Sequence, residues 1–543
     1  MTRNILLGAH AGHGSSICLY DMDNRKLIGN IEFERITRKK NDGSFGEKLL
    51  IEALDRFKVG INDIAAIASG YCGNPYSEYK SPELGQWINF ESKINFSGNT
   101  IPLLKVHHHY SHALCALAAS SPEAKRILVM TADGWGDDTN FSGWYFDKES
   151  NRAKPLVTDY NNRAPACMWH VICNKNYGFE SQKGPGKLMA LAAYGEKSQK
   201  IYNQLIAYAT FGATKEGAIE EFNLGEDLRN KEAKRSQDIA HNLQQYTNDW
   251  MHGKIDYILH LAKKLNLEFD EFGISGGLAL NIVATSAACR MHGLNKVVIP
   301  PFPDDSGLAF GHCIAAVHSM GRRYEELSNS FTPYMGPKYT EDFILKVLQE
   351  NVANIIYDKI DSSDEYCERF SSDLQKRFVC FRYHENSESG PRALGARSIL
   401  YDPSDPQGRD MINKIKNREW YRPFAPMILE EYMEEVLKDP LYSSHYMTTS
   451  SHITNEYKTK FISAMHVNST CRPQSVSKER TPLLYNTIKT FYDKTKIPGL
   501  LNTSFNINGP IVETPKEAME IFLSSKTKKK VLYVNFFRVE CSS

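Results

Sequence analysis

Arg126-Ile-Leu-Val-Met-Thr-Ala-Asp-Gly-Trp-Gly136 decides the fold. Arg126–Ala132 is an apolar run of strand length, and Asp133–Gly136 is a glycine loop at its end. Asn140–Phe146 follows as a second strand, then a polar turn, then Ala153–Val157 as a third. The same order stands at the start of the chain. Asn4–Gly8 reads as a strand, Gly8-Ala-His-Ala-Gly-His-Gly-Ser-Ser16 as a glycine loop and Ser16–Tyr20 as a strand. Asp21-Met-Asp-Asn-Arg25 then makes a turn into Leu27–Phe33. Two copies of strand, glycine loop, strand, turn, strand predict a duplicated domain whose loops face one cleft.

That arrangement resembles the actin-like ATPase and sugar kinase superfamily. After the second copy the pattern turns helical. Ile239, Leu243, Tyr246 and Trp250 recur at helical spacing behind Ser236 as N-cap, and Met251–Leu265 continues the helix. Phe272–Asn281 reads as a strand entering a glycine turn and a helix, and Pro300–Gly307 as a rigid loop before another helix. The chain becomes Pro/Gly-rich around Thr332–Thr340. From Ile355 a second block begins, with a strand at Phe378–Tyr383, a helix at Pro515–Ser524 and a strand at Val531–Phe537. The expected organisation is an α/β domain over 1–354 and an α+β domain over 355–543.

Composition narrows the function classes. The 543 residues carry 65 Lys+Arg against 64 Asp+Glu, a net charge of +1, with 41% hydrophobic and 24% charged residues. That mixture excludes a disordered chain, and its neutrality removes the electrostatic footprint of a protein gripping long nucleic acid. The 11 cysteines include no C-x-x-C pair, which argues against a disulfide scaffold and for a reducing cytoplasm. Met1–Gly8 does not read as a signal peptide, and no stretch approaches the ~20 apolar residues that span a bilayer.

The first chemical motif is His107-His-His-Tyr-Ser-His112, opening the helical run Ala113–Ala119. His108 and His112 are four apart, so they share one helix face, as two ligands of one metal require. Asp133 and Asp305, each in a glycine loop after an apolar strand, are candidates to complete the set. A helix N-terminus whose histidines only hydrogen-bond to backbone has the same pattern. The loop around His13 and the loop Ser275–Asn281 suit either a phosphate or a tight turn. Gly184-Pro-Gly-Lys187 lacks the spacing of a P-loop.

The second block concentrates cations. Glu388-Ser-Gly-Pro-Arg-Ala-Leu-Gly-Ala-Arg-Ser398 sets Arg392 and Arg397 around a Gly-Pro turn. Lys414-Ile-Lys-Asn-Arg-Glu-Trp-Tyr-Arg-Pro-Phe-Ala-Pro426 adds Lys414, Lys416, Arg418 and Arg422, with Arg409 and Arg472 outside it. Cations interleaved with Pro, Gly and aromatics are unlike a solvated helix face. They suit an anion or nucleotide site, for which Arg forks match phosphate oxygens; an RNA groove is the competing use.

With these strings in view, the sequence resembles the NodU/CmcH-type O-carbamoyltransferases of antibiotic and nodulation-factor biosynthesis. The resemblance spans nearly the whole chain in motif order: His-His-Tyr-Ser-His-Ala (108–113), Asp-Gly-Trp-Gly-Asp (133–137), Gly-Lys-Leu-Met-Ala-Leu-Ala-Ala-Tyr-Gly (186–195), Gly-Gly-Leu-Ala-Leu-Asn (276–281), Asp-Ser-Gly-Leu-Ala-Phe-Gly (305–311), Gly-Pro-Arg-Ala-Leu-Gly-Ala-Arg-Ser (390–398), Arg-Pro-Phe-Ala-Pro (422–426) and Leu-Asn-Thr-Ser-Phe-Asn (501–506). It implies a first domain similar to the threonylcarbamoyl-transferase-like branch of the actin-like fold and a YrdC-like second domain. The second domain would convert carbamoyl phosphate and ATP to carbamoyl adenylate, releasing pyrophosphate and phosphate. The first would transfer the carbamoyl group to a hydroxyl at a divalent metal, commonly Fe2+.

Carried over position by position, the resemblance implies His108, His112, Asp133 and Asp305 as metal ligands and His13 as the base. Gly134, Gly276, Gly277 and Asn281 would hold the adenylate; Arg392, Arg397, Lys416, Arg418, Arg472 and Ser504 would bind carbamoyl phosphate and ATP. Two departures stand out: Glu385-Asn386 replaces the family's Gly-Arg, and no acidic residue follows His13. The expected partner is a small hydroxylated acceptor, with neither nucleic acid nor membrane, in a chain that the family would make a homodimer. Residues 71–99 and 202–250 are expected to shape the acceptor pocket. The competing functions are a tRNA threonylcarbamoyl transferase-like enzyme and a non-catalytic nucleotide-binding regulator.

Overall fold

Strand-length apolar runs become two sheets in the first part of the chain and a third, larger sheet in the second. The computed structural model describes residues 3–70, 88–137, 139–159, 164–180, 183–211, 227–441 and 444–542. The stretches 71–87 and 212–226, part of the expected acceptor pocket, lie outside the described residues. The chain divides into two units, one of residues 1–33 and 41–332, the other of 34–40 and 333–543.

In the first unit β1 (Ile5–His10), β2 (Ser16–Asp21), β3 (Lys26–Glu32), β4 (Ile64–Gly70), β5 (Ile88–Phe96) and β6 (Asn99–Val106) form one sheet, in the order β3-β2-β1-β4-β6-β5. β7 (Arg126–Gly136), β8 (Thr139–Asp147), β9 (Arg152–Asp159), β10 (Glu271–Ser275) and β11 (Val297–Val298) form the other, in the order β9-β8-β7-β10-β11. Each is an antiparallel three-strand meander extended by parallel strands, β4 and β6 on β1 and β10 and β11 on β7. The duplication expected from the sequence is therefore present in an α/β unit. β1 and β7 read as continuous hydrophobic runs because both of their faces are covered.

Two helices fill the space between the sheets. Leu308–Ser319 packs on β1, β2 and β4, His108–Ala119 on β7 and β10, and the two pack on each other. Every residue of His108–Ala119 after the first is buried. That is why its sequence is alanine-rich rather than amphipathic.

Three local expectations are corrected. Asp133–Gly136 is not a free loop: it is the end of β7, where a register irregularity after Ala132 lets the strand bulge. Ser236 does not cap the long helix Lys234–Lys264; Ala233 precedes it without a side-chain cap, and buried Ser236 donates to the Leu228 carbonyl at 3.4 Å. Val531–Phe537 is two strands, because Asn535 turns the chain with φ 47.

The second unit holds an eight-stranded mixed sheet and a small three-stranded one. Its strands are β12 (Ile355–Lys359), β13 (Val379–Tyr383), β14 (Arg397–Tyr401), β15 (Ala425–Leu429), β16 (Leu437–Lys438), β17 (Ser451–Ile453), β18 (Thr470–Cys471), β19 (Gln474–Val476), β20 (Gly499–Ser504), β21 (Lys530–Val534) and β22 (Phe537–Cys541). The large sheet runs β12-β22-β21-β13-β14-β20-β15-β19, and β16-β17-β18 make the small one. The boundary falls at Pro333, within the Pro/Gly-rich stretch, rather than at 355. The helix Glu341–Gln349 packs on the helix Pro515–Ser524, and Ile355 opens the edge strand β12. The short segment 34–40 also belongs here: Arg35 donates to the Glu388 and Gly390 carbonyls and Arg38 to those of Pro510 and Ile511. Among the described residues, no helix is long and apolar enough to cross a membrane.

Candidate functional site

In the first unit the chemistry gathers where two helices begin and a strand ends. His107 caps the helix His108–Ala119 by accepting from the His109 amide at 3.2 Å, and Asp137 accepts from the His108 amide at 2.9 Å. This fixes His108 and His112 on one face. Their Nε2 atoms stand 3.0 Å apart. Asp133, from the end of β7, lies 3.0 Å from His112 Nε2 and 3.7 Å from that of His108. Asp305, just before the helix Leu308–Ser319, lies 3.5 Å from each. All four donor atoms fall within 4.8 Å of one another. Two imidazoles and two carboxylates converging on one point suit a divalent transition metal. The four residues that the sequence could not join without a fold are joined.

The electrostatics agree. Burial alone would lower His112, but hydrogen bonds and charges from Asp133 and Asp305 outweigh it and raise the imidazole to about 9. Asp133 would rise on burial, yet His108 and His112 hold it well below the ordinary carboxylate range. Without a metal, the site therefore holds a proton that a metal must displace. Below about pH 9, metal affinity is expected to fall ~10-fold per pH unit as His112 protonates. Co2+ titrations between pH 6 and 8 measure this, and a flat profile would contradict it.

The neighbouring glycines serve the cluster. Gly277 donates its amide to Asp133 Oδ2 at 2.9 Å, and the Gly134 amide meets Oδ1 at 2.5 Å, so both orient the carboxylate. Gly276 has φ +93, and a Cβ there would lie 2.2 Å from the Ala132 carbonyl oxygen, so only glycine fits. Asn281 is occupied otherwise than the resemblance implies. Its carbonyl oxygen caps the helix Ile282–Met291 through the Ala284 amide, and its amide pairs with Gln244. At Gly136 a Cβ would sit 2.4 Å from His108 Cδ2. Gly136→Ala is accordingly expected to displace that ring and weaken metal binding ~10-fold or more, at ~1–3 kcal/mol of stability. Metal titration beside a thermal melt checks both.

His13 stands beside this cluster rather than in it. Its loop folds on the Ser15 amide, which donates to the Gly12 and Asp42 carbonyls, and His10 donates to the His13 carbonyl at 3.1 Å. Among the described residues His13 Nδ1 is buried without a hydrogen-bond partner, and the ring lies near Asp304. An imidazole with one uncommitted nitrogen is equipped to take a proton.

The second unit gathers cations. Lys416, at the end of the helix Gly408–Ile415, is 3% exposed. Its ammonium donates to the carbonyls of Ser504 and Asn506 and to Asn506 Oδ1, the last at 2.6 Å, and lies 3.4 Å from Ser504 Oγ. Burial, then the charges of Arg418, Arg422 and Lys40, drives it well below the ordinary lysine value. Burial and the charges of Arg392, Arg418 and Arg422 likewise depress Arg472. The Nε atoms of Arg418 and Arg472 are buried without partners among the described residues. Crowded guanidinium groups with unused donors are a site for a multiply charged oxyanion.

Three of the cations singled out in the sequence are placed differently. Arg397 is fully buried; it donates to the His384 and Glu385 carbonyls at 2.9 and 2.7 Å and lies 3.6 Å over the Tyr383 ring. Its two terminal nitrogens are taken by backbone carbonyls, while its Nε is buried without a partner among the described residues. Arg409 and Lys414 lie outside the cluster: Arg409 faces Asp410 and Lys414 is exposed. The departure Glu385-Asn386 serves loop anchoring, with Glu385 near Lys338 and Asn386 donating to the Gly336 carbonyl at 2.7 Å.

The sequence missed Lys40, an exposed residue that shares the field of Arg392, Arg418 and Arg422. The run Arg38-Lys-Lys40 was its only signal. It also missed Asp137, His10 and His312, the last inside an apolar helix where a lone histidine reads as core.

Comparison with known proteins places both parts of the chain in one family. Residues 95–314 match the model described as carbamoyltransferase N-terminus, and residues 371–540 match that of the carbamoyltransferase C-terminus. An uncharacterised Methanocaldococcus jannaschii protein, MJ1051, is 27% identical across 96% of this chain and 97% of its own. The nodulation protein NolNO of Sinorhizobium fredii is 27% identical across 92% and 75%. Among solved structures, HypF of T. kodakarensis superimposes with a TM-score of 0.32 at 12% identity, over 60% of this chain and 49% of that one. With matches to both ends of one family falling on the two units that hold the His/Asp cluster and the cation cluster, the chain belongs to the carbamoyltransferase family.

Proposed function

We propose that the protein is an ATP-dependent O-carbamoyltransferase with one half-reaction in each unit. In the second unit, carbamoyl phosphate loses phosphate to water, and the resulting carbamate attacks the α-phosphorus of ATP, expelling pyrophosphate. Lys416 and the guanidinium groups of Arg392, Arg418, Arg422 and Arg472 neutralise the phosphate charge that develops. In the first unit a hydroxyl oxygen bonds to the carbamoyl carbon, the bond to AMP breaks, and His13 takes the hydroxyl proton.

His108, His112, Asp133 and Asp305 would hold a divalent metal, which we take to be Fe2+. It would supply Lewis-acid polarisation of an acyl or phosphoryl oxygen. Gly134 and Gly277 hold Asp133 in place for it. The acceptor is taken to be a small hydroxylated molecule, which the net charge of +1 favours over tRNA. The described cysteines are all free thiols, which supports a reducing cytoplasm.

The observation that carries this reading is the cation group around Lys416, where Arg418 and Arg472 keep buried Nε donors without partners among the described residues, in a member of this family. Carbamoyl-phosphate-dependent exchange between ATP and pyrophosphate tests it. Exchange by the full chain is the expected result, and its absence would leave a nucleotide-binding regulator as the better account.

A further inference from the structure

Adjoining the four-donor cluster is a cavity of about 60 Å³, with His10, Gly70, His108, Leu308 and His312 in its wall. Its most unusual member is His312, which is fully buried. His312 Nδ1 lies 2.6 Å from Ser111 Oγ, and that hydroxyl already donates to the His107 carbonyl at 3.3 Å. With the hydroxyl proton on the His107 carbonyl, the proton between ring and hydroxyl is that of His312 Nδ1, which leaves Nε2 as an acceptor. Nε2 has no hydrogen-bond partner among the described residues. A Cβ on Gly70 would lie 3.0 Å from it, so the missing side chain keeps open the space that Nε2 faces.

His10 is arranged alike. Its Nε2 donates to the His13 carbonyl at 3.1 Å, which leaves Nδ1 as its acceptor nitrogen. Burial pushes both rings down, His10 to about 4 and His312 well below the ordinary histidine value, so both stay neutral. A buried acceptor without a donor is costly, and the cavity has room for a few heavy atoms. What fits is a small planar group that brings N–H donors.

We propose that this cavity receives the amino group of the transferred carbamoyl unit, with His312 Nε2 accepting its N–H, and that His312 thereby selects carbamoyl over acetyl. This rests on the reading of the first unit as the transfer site. Carbamoyl and acetyl groups have the same shape and differ in NH2 against CH3, so a lone-pair acceptor is the economical discriminator. A site built to hydrogen-bond an N–H rejects the analogue that lacks it.

The test uses the full chain loaded with Co2+, whose visible absorption reports ligands at the first unit alone. Two probes are titrated: the adenosine ester of carbamoylmethylphosphonate, and the 2-oxopropyl counterpart in which methyl replaces NH2. Wild type is expected to prefer the amide probe by ~10-fold or more. His312→Leu is expected to erase the preference while binding Co2+ as wild type does. Gly70→Ala, which fills the space before Nε2, is expected to weaken the amide probe selectively, and it decides the matter if His312→Leu does not fold. An undiminished preference in a folded variant overturns this inference alone. A wild-type spectrum that responds to neither probe overturns it together with the transfer reading.

Discussion

Lys416→Ala is expected to reduce carbamoyl-phosphate-dependent ATP–pyrophosphate exchange by ~10³-fold, the largest effect of any single change in the second unit. The ammonium is held between the carbonyls of Ser504 and Asn506 with almost no exposure, so no neighbouring cation can move into its place. Arg418 and Arg422 add field but sit on other geometry, with Arg418 over the Phe424 ring and Arg422 near Glu419. The substitution also leaves carbonyl acceptors unmet, at ~1–3 kcal/mol. A thermal melt separates this cost from lost activity: a folded variant that still exchanges within tenfold of wild type removes Lys416 from the reaction. Lys416→Arg is not expected to rescue, because a planar fork does not fit the compact node that Ser504 and Asn506 make.

His112→Ala is expected to cut metal affinity by ~10³-fold and carbamoyl transfer with it, while leaving ATP–pyrophosphate exchange unchanged. His112 is the fully buried member of the donor set and the one within 3.0 Å of both Asp133 and His108. Its loss removes one of the four donors and opens its position to water. Metal content by elemental analysis, beside exchange by isotope incorporation, reads the two effects separately. Loss of both activities together, in a folded variant, would mean that the two units do not carry separate half-reactions.

The duplicated sheet was legible because Ile5–Leu7 and Ile127–Met130 are apolar and each run leads into a glycine-containing segment and two further strands. Local pattern fails where tertiary packing decides. Asp133–Gly136 looks like a loop by composition, yet pairing with β8 keeps it in the strand until the bulge. Ser236 has the chemistry of a cap but is buried beneath Leu228.

The site divides along the same line. His108 and His112 are joined by helical spacing alone, and Asp133 and Asp305 entered as candidates by their place after strands; their convergence needed the two central helices. Arg397 and Lys40 mark the limit. An arginine in a Gly-Pro motif reads as an anion ligand, and only the structure shows that backbone carbonyls take its two terminal nitrogens. A lysine far away in the chain is not seen to share the cation field until segment 34–40 is found in the second unit.

The account's central claim is that one chain couples adenylation to carbamoyl transfer. 31P NMR of the metal-loaded full chain with ATP, carbamoyl phosphate and an extract of the source organism as acceptor tests it most directly. The account predicts AMP, pyrophosphate and phosphate in equal amounts, with one carbamoylated product formed per AMP. ADP in place of AMP, or carbamoylation that proceeds without ATP, would contradict it.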